Sequence, residues 1–352
     1  MARDGANDKP PSPQVSVAVV AYESGALLRD CLASLREQTI GDVEVILVDN
    51  ASSDGAAQAA AAAQPDLVFI ANAKNLGFAA AVNQAARRAR GRWLALLNPD
   101  AFAAPDWLEA LLAAAEAWPE VRCFATRQLK AEDPSRLDGL GDVMSLAGFA
   151  FRGGYNQPDP GLTDPALVFS ACGGAMMIDR GLFLEMGGLD ERLFCYCEDV
   201  DLGYRLQLRG EPTLLVPAAA VRHVGSASSG GPRSDFATFH GTRNRLWIYL
   251  KDTPPALLWL TLPLHMLATA VLFARHLTRG EIASPWRGFI AALDGLPLAL
   301  QMRREAQGAR KVGSWAIARQ MSWSPRVLVR RKVVVRPAVR SRGSAPTRSA
   351  GA

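Results

Sequence analysis

The sequence has few cysteines and no recognisable export sequence. Five cysteines occur in 352 residues, at irregular spacings. Small secreted domains that depend on disulfides need a dense set of cysteines, so that class is excluded. Residues 1–14 are polar and rich in proline, and they lack the apolar core of a secretory signal. We therefore expect a disordered leader at 1–14 and a protein that stays in the reducing cytoplasm.

Acidic residues are missing from the C-terminal part of the chain. No Asp or Glu follows Glu305, whereas residues 306–352 contain 11 Lys or Arg. The net charge of +5 therefore hides a mildly acidic body, residues 1–305, with 28 basic and 34 acidic side chains. A basic tail is attracted to an anionic surface, either nucleic acid or the cytoplasmic face of a membrane. Because the sequence has no zinc-ligand spacing and no RNA-binding aromatic motif, we favour the membrane and expect no nucleic-acid partner.

Two common nucleotide-binding fingerprints are also absent. The chain contains neither a G-x-G-x-x-G motif nor a Walker loop, which disfavours the usual dinucleotide-binding and P-loop proteins. The composition is nevertheless that of a globular protein, with 49% apolar and 21% charged residues. Such a chain can bury a sizeable core, so a disordered protein is excluded.

The N-terminal third alternates apolar, β-branched runs with segments of helical periodicity. Strands are predicted at 15–22, 43–49, 67–72 and 93–98, and helices at 26–38, 56–63, 78–90 and 105–118. This alternation predicts βαβ units, and hence an α/β fold with a mainly parallel, Rossmann-like sheet flanked by helices. Further along, the pattern predicts a long loop region that could include a hairpin at 128–168, a strand at 175–179, helices at 180–187 and 198–209, and short strands at 213–217 and 220–223.

Residues 254–274 form the most apolar stretch of the chain. Their length is close to the roughly 20 residues that a membrane span needs, although Pro263 and His265 interrupt the run. Three alternatives are open: a helix packed on the sheet domain, a helix in the membrane interface, or a span. A weaker apolar helix is predicted at 286–300. Because basic residues beside an apolar helix strengthen adsorption to anionic lipid, we expect a membrane-associating helical region at 251–310 and a basic tail at 311–352.

Polar residues end four of the predicted strands. Ligands of an open parallel sheet bind at the carboxyl ends of its strands, where these side chains would meet. The residues at these strand ends are Ala21, Tyr22 and Glu23 for the first strand, Asp49 and Asn50 for the second, Asn72 to Gly77 for the third, and Asn98, Pro99 and Asp100 for the fourth. Asp100 could bind Mg²⁺ or Mn²⁺ through oxygen, although residues 98–100 also suit a simple turn.

Three further motifs have both a structural and a chemical interpretation. The acidic run 198–201 suits the first turn of a helix because of the helix dipole, but a carboxylate near apolar groups can also act as a general base. His223 would be a metal ligand if Asp100 lay nearby, and a structural histidine otherwise. Cys195 and Cys197 have no second cysteine pair, so packing is favoured over a zinc site.

Several segments together resemble a known family. They are VSVAVVAYESGALLRDCLASLREQ, VEVILVDNASSDG, NAKNLGFAAAVNQA, WLALLNPDA, SACGGAMMIDRGLFLEMGGLDERLFCYCEDVDLGYRLQLRG and VPAAAVRHVGS. In order and spacing they resemble a family 2 glycosyltransferase with the GT-A nucleotide-diphospho-sugar fold, in particular its bacterial rhamnosyltransferase-like branch. The resemblance covers residues 15 to about 250, which we expect to form the GT-A domain.

The resemblance implies a role for each matching residue. The nucleotide-sugar donor would be bound by Ala21, Tyr22, Glu23, Asp49, Asn50, Asn75, Gly77, Phe78, Asn98, Asp100, Gly173 and Gly174. Asp100 and His223 would hold a divalent metal, Mg²⁺ or Mn²⁺. Asn98 stands at the first position of the family's Asp-x-Asp motif, so one carboxylate is lost there. Asp199 would be the catalytic base, supported by Glu198 and Asp201.

The implied activity is an inverting transfer in a single displacement. The branch suggests dTDP-L-rhamnose as donor, with UDP- and GDP-sugars open, and a lipid-linked or cell-envelope glycan as acceptor. The enzyme would then work in the cytoplasm, peripherally bound to the inner face of the membrane. Two alternatives are a non-catalytic sugar-nucleotide or glycan-binding protein of the same fold, and a nucleotidyltransferase. The second needs a glycine-rich, basic loop after the first strand, which residues 22–25 do not provide. The sequence leaves the oligomeric state open.

Overall fold

A computed structural model describes residues 13–225, 231 and 234–338. The strands are β1 (Val15–Ala21), β2 (Val43–Asp49), β3 (Val68–Ala71), β4 (Trp93–Leu97), β5 (Ala101–Ala103), β6 (Cys123–Lys130), β7 (Leu137–Leu140), β8 (Asp142–Met144), β9 (Ala150–Arg152), β10 (Ala166–Val168), β11 (Ala175–Asp179), β12 (Thr213–His223) and β13 (Arg336–Pro337). Within the described residues, one mixed sheet has the order β13-β10-β12-β6-β11-β4-β1-β2-β3, with β5 paired to β12 and β7 paired to β6, while β8 and β9 form a separate hairpin.

Helices cover both faces of this sheet. They are α1 (Gly25–Arg36), α2 (Ala56–Ala63), α3 (Phe78–Arg88), α4 (Trp107–Ala117), α5 (Arg180–Glu185), α6 (Glu198–Arg209), α7 (Asp235–Asp252), α8 (Pro255–Thr278), α9 (Ala283–Asp294), α10 (Leu296–Gly308), α11 (Ser314–Gln320) and α12 (Pro325–Arg330). One core joins α1, α2 and α4 to one face of the sheet, and a second joins α3, α5 and α6 to the other. The predicted α/β fold with flanking helices is therefore confirmed.

The first half of the sheet agrees with the predicted elements. β3, β2, β1 and β4 are parallel, and β1 pairs with β2 in a register that sets Ala21 opposite Asp49. Every residue of β1 is buried, as expected for a β-branched strand covered on both faces. Because β1 and β2 end together, the polar residues that follow them meet at one edge.

The second half differs from the prediction in two places. The region expected to be mainly loop, 128–168, contains the end of β6, the strands β7 and β10, and the hairpin of β8 and β9. Strands of three or four residues are too short to show a clear alternation, so the sequence pattern did not reveal β7 to β10. The two short strands expected at 213–217 and 220–223 are one strand, β12, whose register shifts between Val216 and Ala220.

The C-terminal region is anchored to the sheet domain by a third core. Trp247 of α7 packs with Tyr204 of α6, Leu257 of α8, Ala292 of α9 and Met302 of α10. The expected domain boundary at 250 therefore falls inside α7, and the helix expected at 286–300 is two helices separated by Gly295. Removing everything after residue 250 would uncover this core, so such a truncation is not a clean test of membrane binding.

The first part of the expected basic tail is folded. Residues 314–330 form α11 and α12, and β13 pairs antiparallel with β10 at the edge of the main sheet. Residues 1–12 of the predicted leader and 339–352 of the tail lie outside the described residues.

Helix α8 packs through one narrow stripe. Leu257, Thr261 and His265, four residues apart, are its buried side chains, and His265 stacks on Tyr249 with ring centroids 3.7 Å apart. Among the described residues, α8 is the one helix long and apolar enough to cross a membrane, with a mean hydropathy of 1.9. Most of its apolar surface is exposed, including Trp259 (73%), Leu260 (69%) and Met266 (63%).

Candidate functional site

A cavity of about 550 Å³ opens at the carboxyl ends of β1, β2 and β4, where the sequence predicts a ligand site. Twelve of the predicted site residues line it, and those from the C-terminal half of the domain come from the segment before β11, from α6 and from β12. They are Tyr22, Asn50, Asn75, Gly77, Phe78, Asn98, Asp100, Gly173, Gly174, Glu198, Asp199 and His223.

Asn50 organises one wall of this cavity. Its Nδ2 donates to Asn75 Oδ1 (2.9 Å) and to the Gly77 carbonyl (3.2 Å), and its Oδ1 accepts from the Leu76 amide (3.0 Å). Gly77 has a φ of 85°, and a Cβ there would lie 2.6 Å from Phe194. Only glycine fits this close approach without a shift of the backbone.

Four predicted site residues lie outside the wall. Ala21 is buried at the end of β1, and Glu23 and Asp49 fix the neighbouring loop by accepting from the amides of Ser53 (2.8 Å) and Ser52 (2.9 Å). Asp201 points into the protein and forms ion pairs with Arg205 and Lys251. Those buried cations hold its carboxylate away from the cavity, so support of the base by Asp201 stays a prediction.

Asp100, His223 and Asp138 form a buried line of polar groups. His223 Nε2 lies 3.1 Å from Asp100 Oδ1, and Nδ1 lies 2.8 Å from Asp138 Oδ2. β12 pairs with β5, and that register sets His223 opposite Ala101, which brings two residues 123 positions apart together. Burial opposes a charge on the imidazole, but the hydrogen bonds to Asp100 and Asp138 outweigh it and raise the pKa of His223.

These residues fit a divalent metal. A proton on Nδ1 shared with Asp138 leaves the lone pair of His223 Nε2 facing Asp100, the usual arrangement of a metal-bound histidine with a carboxylate behind it. Within the described parts of the chain, no cluster of three or more His, Cys, Asp or Glu is arranged to hold a metal on its own. Asp100 and His223 would thus be two protein ligands, and oxygens of a bound diphosphate would complete the shell.

Asp199 stands beside the glycine pair Gly173–Gly174. Its Oδ2 accepts from the Gly173 amide at 2.9 Å. A Cβ on Gly173 would lie 3.2 Å from Asp199 Cβ, and one on Gly174 would lie 3.5 Å from His223 Cε1. Because successive Cα atoms are about 3.8 Å apart, the carboxylate and the imidazole flank one short piece of backbone that has no side chains.

Two other carboxyl groups in the cavity are poorly solvated. Burial and the charge of Asp199 raise the pKa of Asp142 to about 8. The same two causes raise the pKa of Glu198 well above its usual range, and Glu198 Oε2 is buried without a hydrogen-bond partner among the described residues. Both shifts favour the neutral carboxyl over a carboxylate that is ready to accept a proton.

The loop before α6 has an unusual backbone. Phe194, Tyr196 and Cys197 have φ values of 66°, 69° and 68°, a region that costs non-glycine residues about 1–3 kcal/mol each. Asn244 of α7 holds this loop, because its Nδ2 lies within hydrogen-bond distance of the carbonyls of Leu193 (2.9 Å), Cys195 (2.9 Å) and Tyr196 (2.7 Å). The loop leads directly into Glu198 and Asp199, so α7 positions the predicted base.

We expect Asn244→Ala to lower both stability and turnover. The change leaves buried carbonyls without a donor, which costs about 1–3 kcal/mol in the free energy of unfolding, and it releases the strained loop that carries Asp199. Urea unfolding and the transfer rate are the two measurements. Gln301→Ala removes an exposed amide from α10 and should change neither, and a fully stable, fully active Asn244→Ala protein would show that the loop needs no such support.

Sequence reasoning missed four residues of this region. Asp138, Asp142 and Arg152 come from the part expected to be loop, and Asn244 comes from a helix with no recognised motif. Asp138 and Asp142 flank a glycine-rich run, DGLGD, and Asn244 stands between two arginines on a largely apolar helix. These patterns were visible, but nothing in the linear order connects them to Asp100 or Asp199.

All five cysteines, each within the described residues, are free thiols. Burial raises the pKa of Cys195 and Cys197 well above the usual range. Neutral, buried thiols agree with a packing role rather than a zinc site.

Comparison with known proteins identifies the family. Residues 16–187 match the family described as Glycosyl transferase family 2. The N-acetylglucosaminyl-diphospho-decaprenol L-rhamnosyltransferase of Mycobacterium tuberculosis (strain H37Rv) is 32% identical over 260 residues, which cover 67% of this chain and 83% of the relative.

Two solved structures share the fold. The mannosyltransferase PcManGT from Pyrobaculum calidifontis, in complex with GDP-Man and Mn²⁺, is 19% identical with a TM-score of 0.52, covering 88% of this chain and 87% of that one. GalNAc-T7 with UDP, GalNAc and Mn²⁺ is also 19% identical, with a TM-score of 0.56, covering 69% of this chain and 48% of that one. The sequence matches and the shared fold agree: the chain belongs to glycosyl transferase family 2 and is a rhamnosyltransferase-like glycosyltransferase.

Proposed function

We propose that this glycosyltransferase transfers L-rhamnose from dTDP-L-rhamnose to a lipid-linked glycan of the cell envelope, with inversion at the anomeric carbon. The observation that carries the mechanism is the position of Asp199 and the Asp100–His223 pair on either side of Gly173 and Gly174. The name of the M. tuberculosis relative suggests L-rhamnose and a lipid-linked acceptor, and the resemblance to the rhamnosyltransferase-like branch suggests dTDP as the nucleotide.

The residues of the cavity suit a single displacement. The acceptor hydroxyl attacks the anomeric carbon and loses its proton to Asp199, while the bond from that carbon to the donor diphosphate breaks. The glycine pair leaves room for the sugar beside the base. Asp142 has a pKa of about 8 and is therefore a poor nucleophile at neutral pH, which favours direct attack over a covalent sugar intermediate.

The leaving diphosphate would lie beside Asp100 and His223. A divalent cation held there, Mg²⁺ or Mn²⁺, would neutralise the charge that develops as the sugar–phosphate bond breaks. Asp138 orients His223 for this task, and Arg152 forms an ion pair with Asp138 from the cavity wall.

A donor panel with purified protein is the direct test. We expect slow hydrolysis of dTDP-L-rhamnose, and transfer with an inverted anomeric centre when an acceptor is supplied, both readable by NMR. Faster use of a UDP- or GDP-sugar would replace the donor assignment, and a product with retained configuration would exclude single displacement. Donor binding without any turnover would favour the non-catalytic alternative.

We also propose that the enzyme lies on the inner leaflet of the cytoplasmic membrane. Helix α8 is tied to α7 by its buried stripe while most of its apolar surface faces outward. This favours a helix lying in the interface over a span, because a span would have to leave the partners of Thr261 and His265. Basic residues after Glu305 would add attraction to anionic lipid.

Replacing exposed apolar side chains of α8 should release the protein from membranes. Burying one such side chain contributes about 1.5–3 kcal/mol, so the double variant Trp259→Ser, Met266→Ser should bind vesicles at least about tenfold more weakly. Sedimentation with phosphatidylglycerol vesicles at low and high salt measures this. Salt alone should release the native protein only in part, and wholly soluble native protein at physiological salt would exclude the membrane assignment.

A further inference from the structure

A second cavity, of about 690 Å³, adjoins the first. The two share part of their wall, namely Ala150, Tyr196, Cys197 and Val200. The remaining wall of the second cavity comes mainly from α7, the last turns of α8 and the start of α9. It therefore lies between the proposed catalytic base and the exposed apolar helix.

The charged side chain at the inner end of this cavity, Arg245, forms no ion pair with a carboxylate of the described residues. Arg245 projects from α7, and its Nε and Nη2 are shielded from solvent and find no hydrogen-bond partner within the described residues. Its guanidinium lies 4.6 Å from the Phe149 ring, and burial lowers the pKa of Arg245 to about 10. A buried, unpaired guanidinium is costly, so a ligand that supplies oxygen atoms would be strongly favoured there.

Other polar groups of the wall surround Arg245. His276 lies on α8, and its buried Nδ1 has no hydrogen-bond partner in the described chain but lies 3.8 Å from Glu281 Oε2; Arg279 follows one turn later. Two carboxylates, Asp235 and Glu281, also belong to the wall, but both are exposed, and Ser284 donates to Asp235. The inner part of the cavity is thus positive, and its negative groups lie where water screens them.

Apolar groups continue from this cavity toward the surface of α8. Leu272 lines the cavity, and Val271 on the same helix is 61% exposed. Trp286 stacks on Phe289 at 5.7 Å beside Phe273, which forms an aromatic cluster at the junction of α8 and α9. Tryptophan in such a position is typical of proteins that meet a membrane at its headgroup level.

We propose that the second cavity binds the diphosphate of a lipid-diphosphate-linked sugar acceptor, with Arg245 as its principal contact. The sugar would pass the shared wall toward Asp199, and the lipid would leave along α8. The proposal rests on the proposed function and deepens it, because it assigns the acceptor's diphosphate to a place of its own. The donor's diphosphate has its partners in Asp100 and His223 of the first cavity, so the two anions do not compete.

The test compares two acceptors in detergent without phospholipid. One is N-acetylglucosaminyl diphosphate esterified to a decyl chain, and the other is the decyl glycoside of N-acetylglucosamine, which has the same sugar and tail but no diphosphate. Arg245→Gln should raise KM for the first acceptor by about 10- to 100-fold, the usual effect of one charge-assisted hydrogen bond. KM for the second acceptor, and the rate of donor hydrolysis, should stay within about twofold of the native values, since removing Arg245 deletes a diphosphate contact alone.

Matched variants separate this effect from loss of structure. Arg275→Gln removes an exposed charge from the same face of the molecule without touching the cavity, and it should leave both KM values unchanged. Arg245→Lys keeps the charge but lacks the planar guanidinium with its several N–H donors. Its KM for the diphosphate acceptor should lie between those of the native protein and Arg245→Gln. If Arg245→Gln does not fold, Arg279→Gln, at an exposed position, should still raise KM for the diphosphate acceptor by at least about threefold.

The outcomes distinguish this inference from the proposed function. Absent donor hydrolysis and absent transfer to either acceptor by the native protein would remove the proposed function itself. Normal transfer with equal effects of Arg245→Gln on both acceptors would overturn the diphosphate site alone. Short-chain, soluble phosphatidylglycerol added to the same assay should not compete with the diphosphate acceptor, and equal competition would assign the cavity to a membrane phospholipid instead.

Discussion

Asp199→Asn is expected to reduce sugar transfer by about 10²–10⁴-fold, the usual contribution of a positioned general base. The amide has nearly the same size, and its oxygen can still accept from the Gly173 amide, so the cavity should keep its shape although the hydrogen bond from the Val200 amide to Oδ1 is lost. The affinity for dTDP, the unreactive product that contains the donor's nucleotide, should change little when it is measured by calorimetry. The loss would therefore fall on kcat.

The neighbouring acid supplies the matched control. Burial and the charge of Asp199 raise the pKa of Glu198 well above its usual range, which favours the neutral carboxyl that Glu198→Gln resembles. We expect this variant to retain most of the transfer rate. The assignment of Asp199 as base would fail if Asp199→Asn turned over nearly normally, or if Glu198→Gln were the more damaging change.

Removal of divalent metal should stop the reaction, and Mg²⁺ or Mn²⁺ should restore it. Asp100 and His223 would supply one oxygen and one nitrogen to the metal, and the diphosphate oxygens that would complete its shell carry the charge that must be neutralised. Asp100→Ala should remove activity at any metal concentration that is practical to test. Asp138→Asn reaches the metal site through His223 and also weakens the ion pair with Arg152; it should lower metal affinity by about 10- to 100-fold and be rescued by excess Mn²⁺.

Metal dependence can also be read without turnover. Binding of Mn²⁺ in the presence of dTDP, followed by electron paramagnetic resonance, should weaken in both variants and by more in Asp100→Ala. Full activity of metal-stripped protein would contradict this site. Basic side chains would then have to neutralise the diphosphate, and Arg152 in the cavity wall would be the first to test.

The predictable parts of the molecule are those whose pattern is local. β1 and β2 were expected within one residue of their observed ends because they are short apolar runs bounded by polar ones. Helix α6 was predicted at its observed bounds, since acids open it and Gly210, in the left-handed conformation, closes it. The edge formed by the strand ends followed from the parallel topology alone.

The parts that escaped prediction depend on contacts between distant segments. Asp138 reaches His223 across 85 positions, and no spacing rule relates the two. The ion pair of Asp201 was equally hidden, because its sequence neighbours are catalytic candidates, whereas its partner Lys251 lies 50 positions away. The alternation of strands and helices predicts where a site will form. The polar groups that support the site come from segments that only the fold brings close together.

The pairing of β13 with β10 has a consequence for the order in which the chain folds. Leu167 of β10 pairs with Arg336 of β13, so this edge of the main sheet is formed by some of the last described residues. At about 5–20 residues per second, synthesis of the intervening segment takes on the order of 10 s, during which the β10 backbone has open hydrogen-bonding groups. An unpaired edge strand of this kind can form hydrogen bonds with another nascent chain and so lead to aggregation. Variants that weaken β13 should therefore lower the yield of soluble protein more than they lower the activity of the molecules that mature.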